Sequence, residues 1–150
     1  MRCLLILLLW VISSTHAYAQ WVKLNPLEPF TRPWDIVFSA SDGYLATDFG
    51  VYRSTNSGVT WTVPVGQGAM RVNCLLLEAT RIFAGTAGVI VSADNASTWR
   101  QAGESLRNYT IQGLASLGSY LVAGGDGVFR SSNRGEFWTA TPPSPPADYV

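Results

Sequence analysis

The sequence predicts an all-β chain built from repeated antiparallel sheets, and three observations carry that prediction. A serine–tryptophan box occurs three times, as Ser54-Thr55-Asn56-Ser57-Gly58-Val59-Thr60-Trp61, Ser92-Ala93-Asp94-Asn95-Ala96-Ser97-Thr98-Trp99 and Ser131-Ser132-Asn133-Arg134-Gly135-Glu136-Phe137-Trp138. The box serines lie 38 and then 39 residues apart, a period that suits one four-stranded propeller blade. Ahead of every box come short apolar runs bounded by Gly, Ser, Asn and Asp, the composition of strands and their turns. The expected architecture is a partial β-propeller of three four-stranded antiparallel blades plus an orphan N-terminal strand.

In chain order, residues 1–19 read as an export signal. Arg2 supplies the positive start, an apolar run follows from Cys3 to Ile12, and Ala17-Tyr18-Ala19 has the small-x-small form of a cleavage site. The run is too short for a membrane span, which needs about 20 apolar residues. The expectation is therefore cleavage after Ala19, a secreted or periplasmic location, and no stable membrane insertion afterwards. Residues 20–33 hold an orphan outer strand beginning at Trp21, placed like the last strand of a blade but with no box before it, and a linker.

Each repeat then reads strand A, turn, strand B, glycine hairpin, strand C, box hairpin, strand D. Strand A is expected over 34–39, 72–77 and 111–117, so that blade 1 covers 34–63, blade 2 covers 71–101 and blade 3 covers 110–140. Aligning Ala46, Ala84 and Ala123 places a Gly-Val pair four residues later in every copy. In strand A of blade 2, Val72, Cys74 and Leu76 are expected on one face, with Leu75 and Leu77 on the other. Residues 141–150 form a Pro-rich connection, and the chain ends where a fourth strand A is due. The expectation is a truncated chain whose ring closure needs missing blades, with self-association the less favoured alternative.

The box has a physical task. Ser54, Ser92 and Ser131, together with Asn56, Asp94 and Asn133, can satisfy backbone groups within a tight turn. Gly58 and Gly135 tolerate a positive φ, whereas Ala96 stands at that position in blade 2. Trp61, Trp99 and Trp138 are expected to open strand D and to bury a large ring whose indole N–H needs a partner.

With those residues in view, the boxes resemble the Asp-box, or bacterial neuraminidase repeat, with its Ser-x-Asp-x-Gly-x-x-Trp pattern. The whole unit is similar to exported propeller proteins carrying such repeats in tandem. That superfamily includes sialidases, sortilin-like receptors, xyloglucan-degrading hydrolases and a photosystem II assembly factor. The likeness runs from Trp21 through Trp138. It departs at Asn56 and Asn133, where Asp is usual, and at Ala96, where Gly is usual. In sialidases the resemblance implies a structural role for the boxes, away from the active site.

Composition narrows the chemistry. Ten basic residues balance ten acidic ones, without the clustering that nucleic acid binding requires. His16, the single histidine, leaves with the export signal, which removes imidazole acid–base work and histidine-based zinc sites. Cys74, in an apolar strand, reads as a buried inert thiol. The single acidic residues in separate turns do not have calcium-loop spacing. No catalytic residue, metal ligand or cofactor is assigned.

Ligand-binding candidates are Asp48, Thr86 and Asp126, at or beside the B–C hairpins on the face opposite the boxes. For the aspartates, ordinary hairpin chemistry is the competing role. Arg53 and Arg130 share a position at the end of strand C and are expected to cover an outer strand. Asn95 and Asn108 begin Asn-x-Ser/Thr sequons. The resulting expectation is a non-catalytic exported propeller segment that binds or scaffolds an unidentified protein or glycan. The alternatives are the N-terminal part of a secreted glycoside hydrolase, sialidase-like or xyloglucanase-like, whose active site needs missing blades, and an assembly factor or receptor ectodomain.

Overall fold

A computed structural model describes residues 32–62 and 70–142. The expected export signal, the orphan strand at Trp21 and the Pro-rich stretch from Pro143 onward lie outside those residues.

Among the described residues, eleven strands form three antiparallel sheets, one per repeat. Sheet 1 is β1 (Pro33–Ser39), β2 (Asp42–Thr47) and β3 (Gly50–Ser54). Sheet 2 is β4 (Cys74–Glu78), β5 (Arg81–Thr86), β6 (Gly88–Ser92) and β7 (Arg100–Gln101). Sheet 3 is β8 (Ile111–Leu117), β9 (Tyr120–Gly125), β10 (Val128–Ser131) and β11 (Thr139–Ala140). Each sheet is a meander in sequence order, as expected when turn-bounded strands are joined by short hairpins. The inner strands β1, β4 and β8 are neighbours in turn, and the architecture is a partial β-propeller.

In sheet 1 the described residues reach only the start of the expected fourth strand, because residues 63–69 lie outside them. There Thr62 bridges to Arg53, with Thr62 N–H donating to Arg53 O at 2.8 Å. The box tryptophans do not open strand D, because Trp99 and Trp138 stand one residue ahead of β7 and β11. A single-turn 3₁₀ helix, η1 (Glu104–Leu106), lies between sheets 2 and 3, and it buries Leu106 completely.

Hairpin lengths displace the alanine alignment. Thr47 pairs with Gly50 across a two-residue turn, whereas Thr86 pairs with Gly88 across Ala87 alone. Leu45, rather than Ala46, therefore occupies the position of Ala84 and Ala123. Val72 also differs from expectation. Cys74 and Leu76 pack with one core cluster, while Val72 joins Leu75 and Leu77 in the other. The reason is that β4 pairing begins only at Cys74, so strand alternation does not reach back to Val72; its N–H instead donates to Thr47 O at 2.9 Å.

Two cores lie between the sheets. Tyr44, Ala46 and Val51 of sheet 1 meet Leu75, Ile82, Ala84 and Ile90 of sheet 2. Cys74, Phe83, Val89 and Val91 on the other face of sheet 2 meet Ile111, Leu121, Ala123, Phe129 and Trp138 of sheet 3. Sheet 2 is covered on both faces, which explains why every residue of β6 is buried. Burial pushes the Cys74 thiol up to about 11, so it is held protonated and unreactive at neutral pH.

The three boxes share one hydrogen-bond circuit. The serine hydroxyl donates to the Asx Oδ1 two residues on, at 2.9 Å for Ser54–Asn56, 2.8 Å for Ser92–Asp94 and 2.9 Å for Ser131–Asn133. The same oxygen accepts from the backbone N–H four residues on, from Gly58 at 2.9 Å, Ala96 at 3.0 Å and Gly135 at 2.9 Å. The Asx Oδ1 then accepts from Thr60, Thr98 and Phe137 N–H at 2.9, 2.8 and 2.9 Å. An amide oxygen serves as well as a carboxylate here, because the acceptor role uses only Oδ1. Asn56 and Asn133 thus preserve the turn.

Each circuit holds two consecutive residues at positive φ. These are Ser57 and Gly58 (57° and 85°), Asn95 and Ala96 (57° and 66°), and Arg134 and Gly135 (58° and 85°). Ala96 carries a Cβ where the left-handed region disfavours one. Ala96→Gly is expected to stabilise the chain by about 0.5–1 kcal/mol, the strain relieved exceeding the flexibility gained by the unfolded state. Urea denaturation with an unchanged m-value checks it, and a lower midpoint contradicts the strain.

Only the middle box is titratable through its Asx residue. Hydrogen bonds from the Thr98 hydroxyl, then the Thr98 amide and the Ser92 hydroxyl, hold the Asp94 carboxyl down to about 2. A depressed carboxylate contributes stability that is complete above its unfolded value of about 3.9 and is lost as pH falls toward the folded value. Asp94→Asn is therefore expected to flatten the stability profile between about pH 4 and the folded value of about 2. Paired acid titrations of the two proteins check this; parallel profiles through that window contradict it.

Candidate binding face at the hairpin end

The box turns and the A–B turns share one end of the sheets, as Ser57 N–H donating to Ser41 O at 2.9 Å shows. The B–C hairpins emerge at the other end. There a depression of about 590 Å³ is lined by Trp34, Met70, Arg71, Asn73, Ala87, Thr110 and Gln112. It brings together the start of β1, the approach to β4, the β5–β6 hairpin and the start of β8, so all three sheets contribute.

The most structured part is built around Trp34. Its indole Nε1 donates to Asp48 Oδ1 at 2.8 Å. The Arg71 guanidinium lies 4.1 Å from the Trp34 ring centroid, an attractive cation–π placement. Arg71 Nε also stands 3.9 Å from Asp48 Oδ1. Trp34 remains 43 % exposed, and the Arg71 side chain 57 %. An aromatic plate, a positioned cation and two amide side chains therefore face solvent around one hollow. Asn73 is itself anchored, with Nδ2 donating to Ile111 O at 2.9 Å.

The three residues singled out in the sequence meet different fates. Asp48 borders this arrangement, with its Oδ1 engaged by Trp34. Thr86 is buried, and its hydroxyl donates to Gly88 O at 3.4 Å inside the hairpin. Ala87, beside it, is the residue that reaches the depression. Asp126 Oδ2 accepts from Thr110 N–H at 2.7 Å, which ties the β9–β10 hairpin to the start of β8. Hairpin and strand-start hydrogen bonding thus accounts for the geometry of all three.

Trp34, Arg71, Asn73 and Gln112 escaped sequence reasoning. Trp34 carried a readable signal, being a large aromatic ring at the very start of an inner strand. Arg71 carried a weaker one, as a lone charge in the connection before β4. Asn73 and Gln112 are brought to the hollow by the stacking of sheets, which no local pattern announces.

Arg53 and Arg130 do not cover an outer strand. Arg53 Nη2 reaches back to Asp42 Oδ2 at 2.8 Å, and Arg130 lies 3.5 Å from the Tyr120 ring centroid. Both extend from strand C across strand B, because their partners sit diagonally opposite on that strand.

Comparison with known proteins gives the fold and little more. The chain matches no family model and no curated protein. Among solved structures it is similar to YCF48 from Cyanidioschyzon merolae, with a TM-score of 0.61 and 18 % identity over 77 % of this chain and 38 % of that one. It is also similar to an ancestral GH74 enzyme, with a TM-score of 0.65 and 24 % identity over 83 % of this chain and 20 % of the enzyme. A structure of YCF48 bound to D1 peptide aligns with a TM-score of 0.60 and 16 % identity, over 73 % of this chain and 39 % of that one. The chain thus spans well under half of each of these propeller proteins.

Proposed function

We propose that this chain is an exported, non-catalytic propeller segment whose hairpin end holds an extended segment of another protein. The observation that carries the reading is the solvent-facing Trp34–Arg71 pair beside Asn73 and Gln112. Flat aromatic and guanidinium surfaces bind polypeptide with little loss of side-chain freedom, and amide side chains satisfy an extended backbone. YCF48, a similar propeller, has been solved with a bound peptide, which supports a protein ligand over a glycan.

A glycoside hydrolase portion is the second reading, favoured by the likeness to the GH74 enzyme. Such chemistry uses two carboxyl groups flanking the scissile bond. Asp48 borders the hollow, but among the described residues that line it none is acidic.

The test uses an overlapping peptide library from the exported proteome and a glycan array, read with the wild-type chain, Trp34→Ala and Arg71→Ala. Retention of peptides, weakened about tenfold or more by either substitution, is the expected result. Release of reducing ends from an arrayed glycan overturns the reading, as does peptide retention indifferent to both substitutions.

A further inference from the structure

We infer that the outer face of sheet 3 is a docking surface for sheet 1 of a second copy of this chain. The pairing registers make the three sheets comparable residue by residue. Val51 is opposite Ala46, Val89 opposite Gly85 and Val128 opposite Gly124, so these valines occupy one position in three sheets. Val51 is 3 % exposed beneath sheet 2, and Val89 is fully buried beneath sheet 3. Val128 is 52 % exposed. The same residue in the same place is buried twice and open once.

Its surroundings repeat the contrast. Tyr44 and Phe83 are buried, while Val122 at their position is only partly so. On the same face Ala115 is exposed and Leu117 is 72 % exposed. A hollow of about 570 Å³ there is lined by Leu117, Tyr120, Val122 and Arg130, with Gly118 and Ser119. No described sheet covers this face.

What covers the equivalent faces inside the chain identifies the occupant. The valine of each preceding sheet meets the inner strand of the next, where Leu75 is 4 % exposed and Leu114 is partly buried against its core. The register places Ile36 at the position of Leu75 and Leu114. Ile36 is 47 % exposed, and Phe38, two residues on along the same face of β1, is also 47 % exposed. The chain therefore presents both halves of a junction it already makes twice. A second copy extends the arc from sheet 3 onto its own sheet 1. Such a head-to-tail contact closes a ring if the rotation permits and otherwise grows an open assembly.

The experiment is sedimentation equilibrium on the full chain and on two charge variants, Val128→Asp and Ile36→Asp. The wild type is expected to self-associate, as a dimer or a larger species. Each variant alone is expected to weaken association about 100-fold or more, because every junction then buries an unpaired carboxylate. An equimolar mixture is expected to restore a dimer, since one variant keeps an intact sheet 1 and the other an intact sheet 3. If Val128→Asp loses its β-sheet circular dichroism, Leu117→Asp replaces it at a more exposed position on the same face. A wild-type monomer at every concentration overturns the inference. So does a response to the sheet 3 substitutions alone, which indicates face-to-face pairing of two sheets 3 or another partner.

Discussion

Trp138→Ala is expected to lower the unfolding free energy by about 3–5 kcal/mol, the range for removing a large aromatic ring from a packed core. Trp138 is 2 % exposed and sits in the cluster with Phe83, Leu121 and Phe129. Its Nε1 donates to Gly135 O at 3.0 Å, so the ring closes its own box while filling the junction between sheets 2 and 3. Trp99 makes the corresponding bond to Ala96 O at 3.2 Å but is only partly buried. Trp61 is half-buried and meets Phe38 edge-on at 6.2 Å between ring centroids. The three substitutions should thus rank with Trp138 costliest and Trp61 cheapest, although all occupy the same repeat position. Urea denaturation of the three alanine variants measures this, and equal losses contradict the packing difference.

Gly135→Ala carries the second large effect, expected at about 2–4 kcal/mol. Gly135 has φ 85°, where a Cβ costs about 1–2 kcal/mol. A Cβ there would also stand 2.7 Å from Phe83 Cε1, and overpacking of this kind adds about 1–3 kcal/mol. Ala96 shows that the turn accepts alanine where the neighbouring sheet leaves room, so backbone strain alone does not account for the expected loss. Thermal denaturation distinguishes the two contributions. A Gly135→Ala variant that loses no more than the amount Ala96→Gly gains leaves strain as the whole effect and contradicts the close approach of Phe83.

Much of this architecture was legible because the repeat couples local chemistry to period. The boxes announced their own turns, and the circuits from Ser54, Ser92 and Ser131 match what short hydroxyl and Asx side chains do in a tight turn. Two consecutive left-handed residues were less visible, since only the second position carries glycine, and Ser57, Asn95 and Arg134 give no comparable sign. The candidate binding face was the least legible. Asp48 and Asp126 stood out as acids in turns, but their hydrogen bonds tie hairpins down. Trp34, Arg71, Asn73 and Gln112 come from separate segments and become neighbours only when three sheets stack.

That stacking is the central claim, and one contact reports it directly. The Phe83 ring of sheet 2 lies against Gly135 in the box of sheet 3, with Leu121 on the same side. Nuclear Overhauser spectroscopy on a sample labelled at Phe and Gly is expected to show cross-peaks from the Phe83 ring to the Gly135 α-protons, with those protons shifted by the ring current. Cross-peaks from Phe83 to its own box at Ala96, and none to Gly135, would contradict the order in which the sheets are stacked.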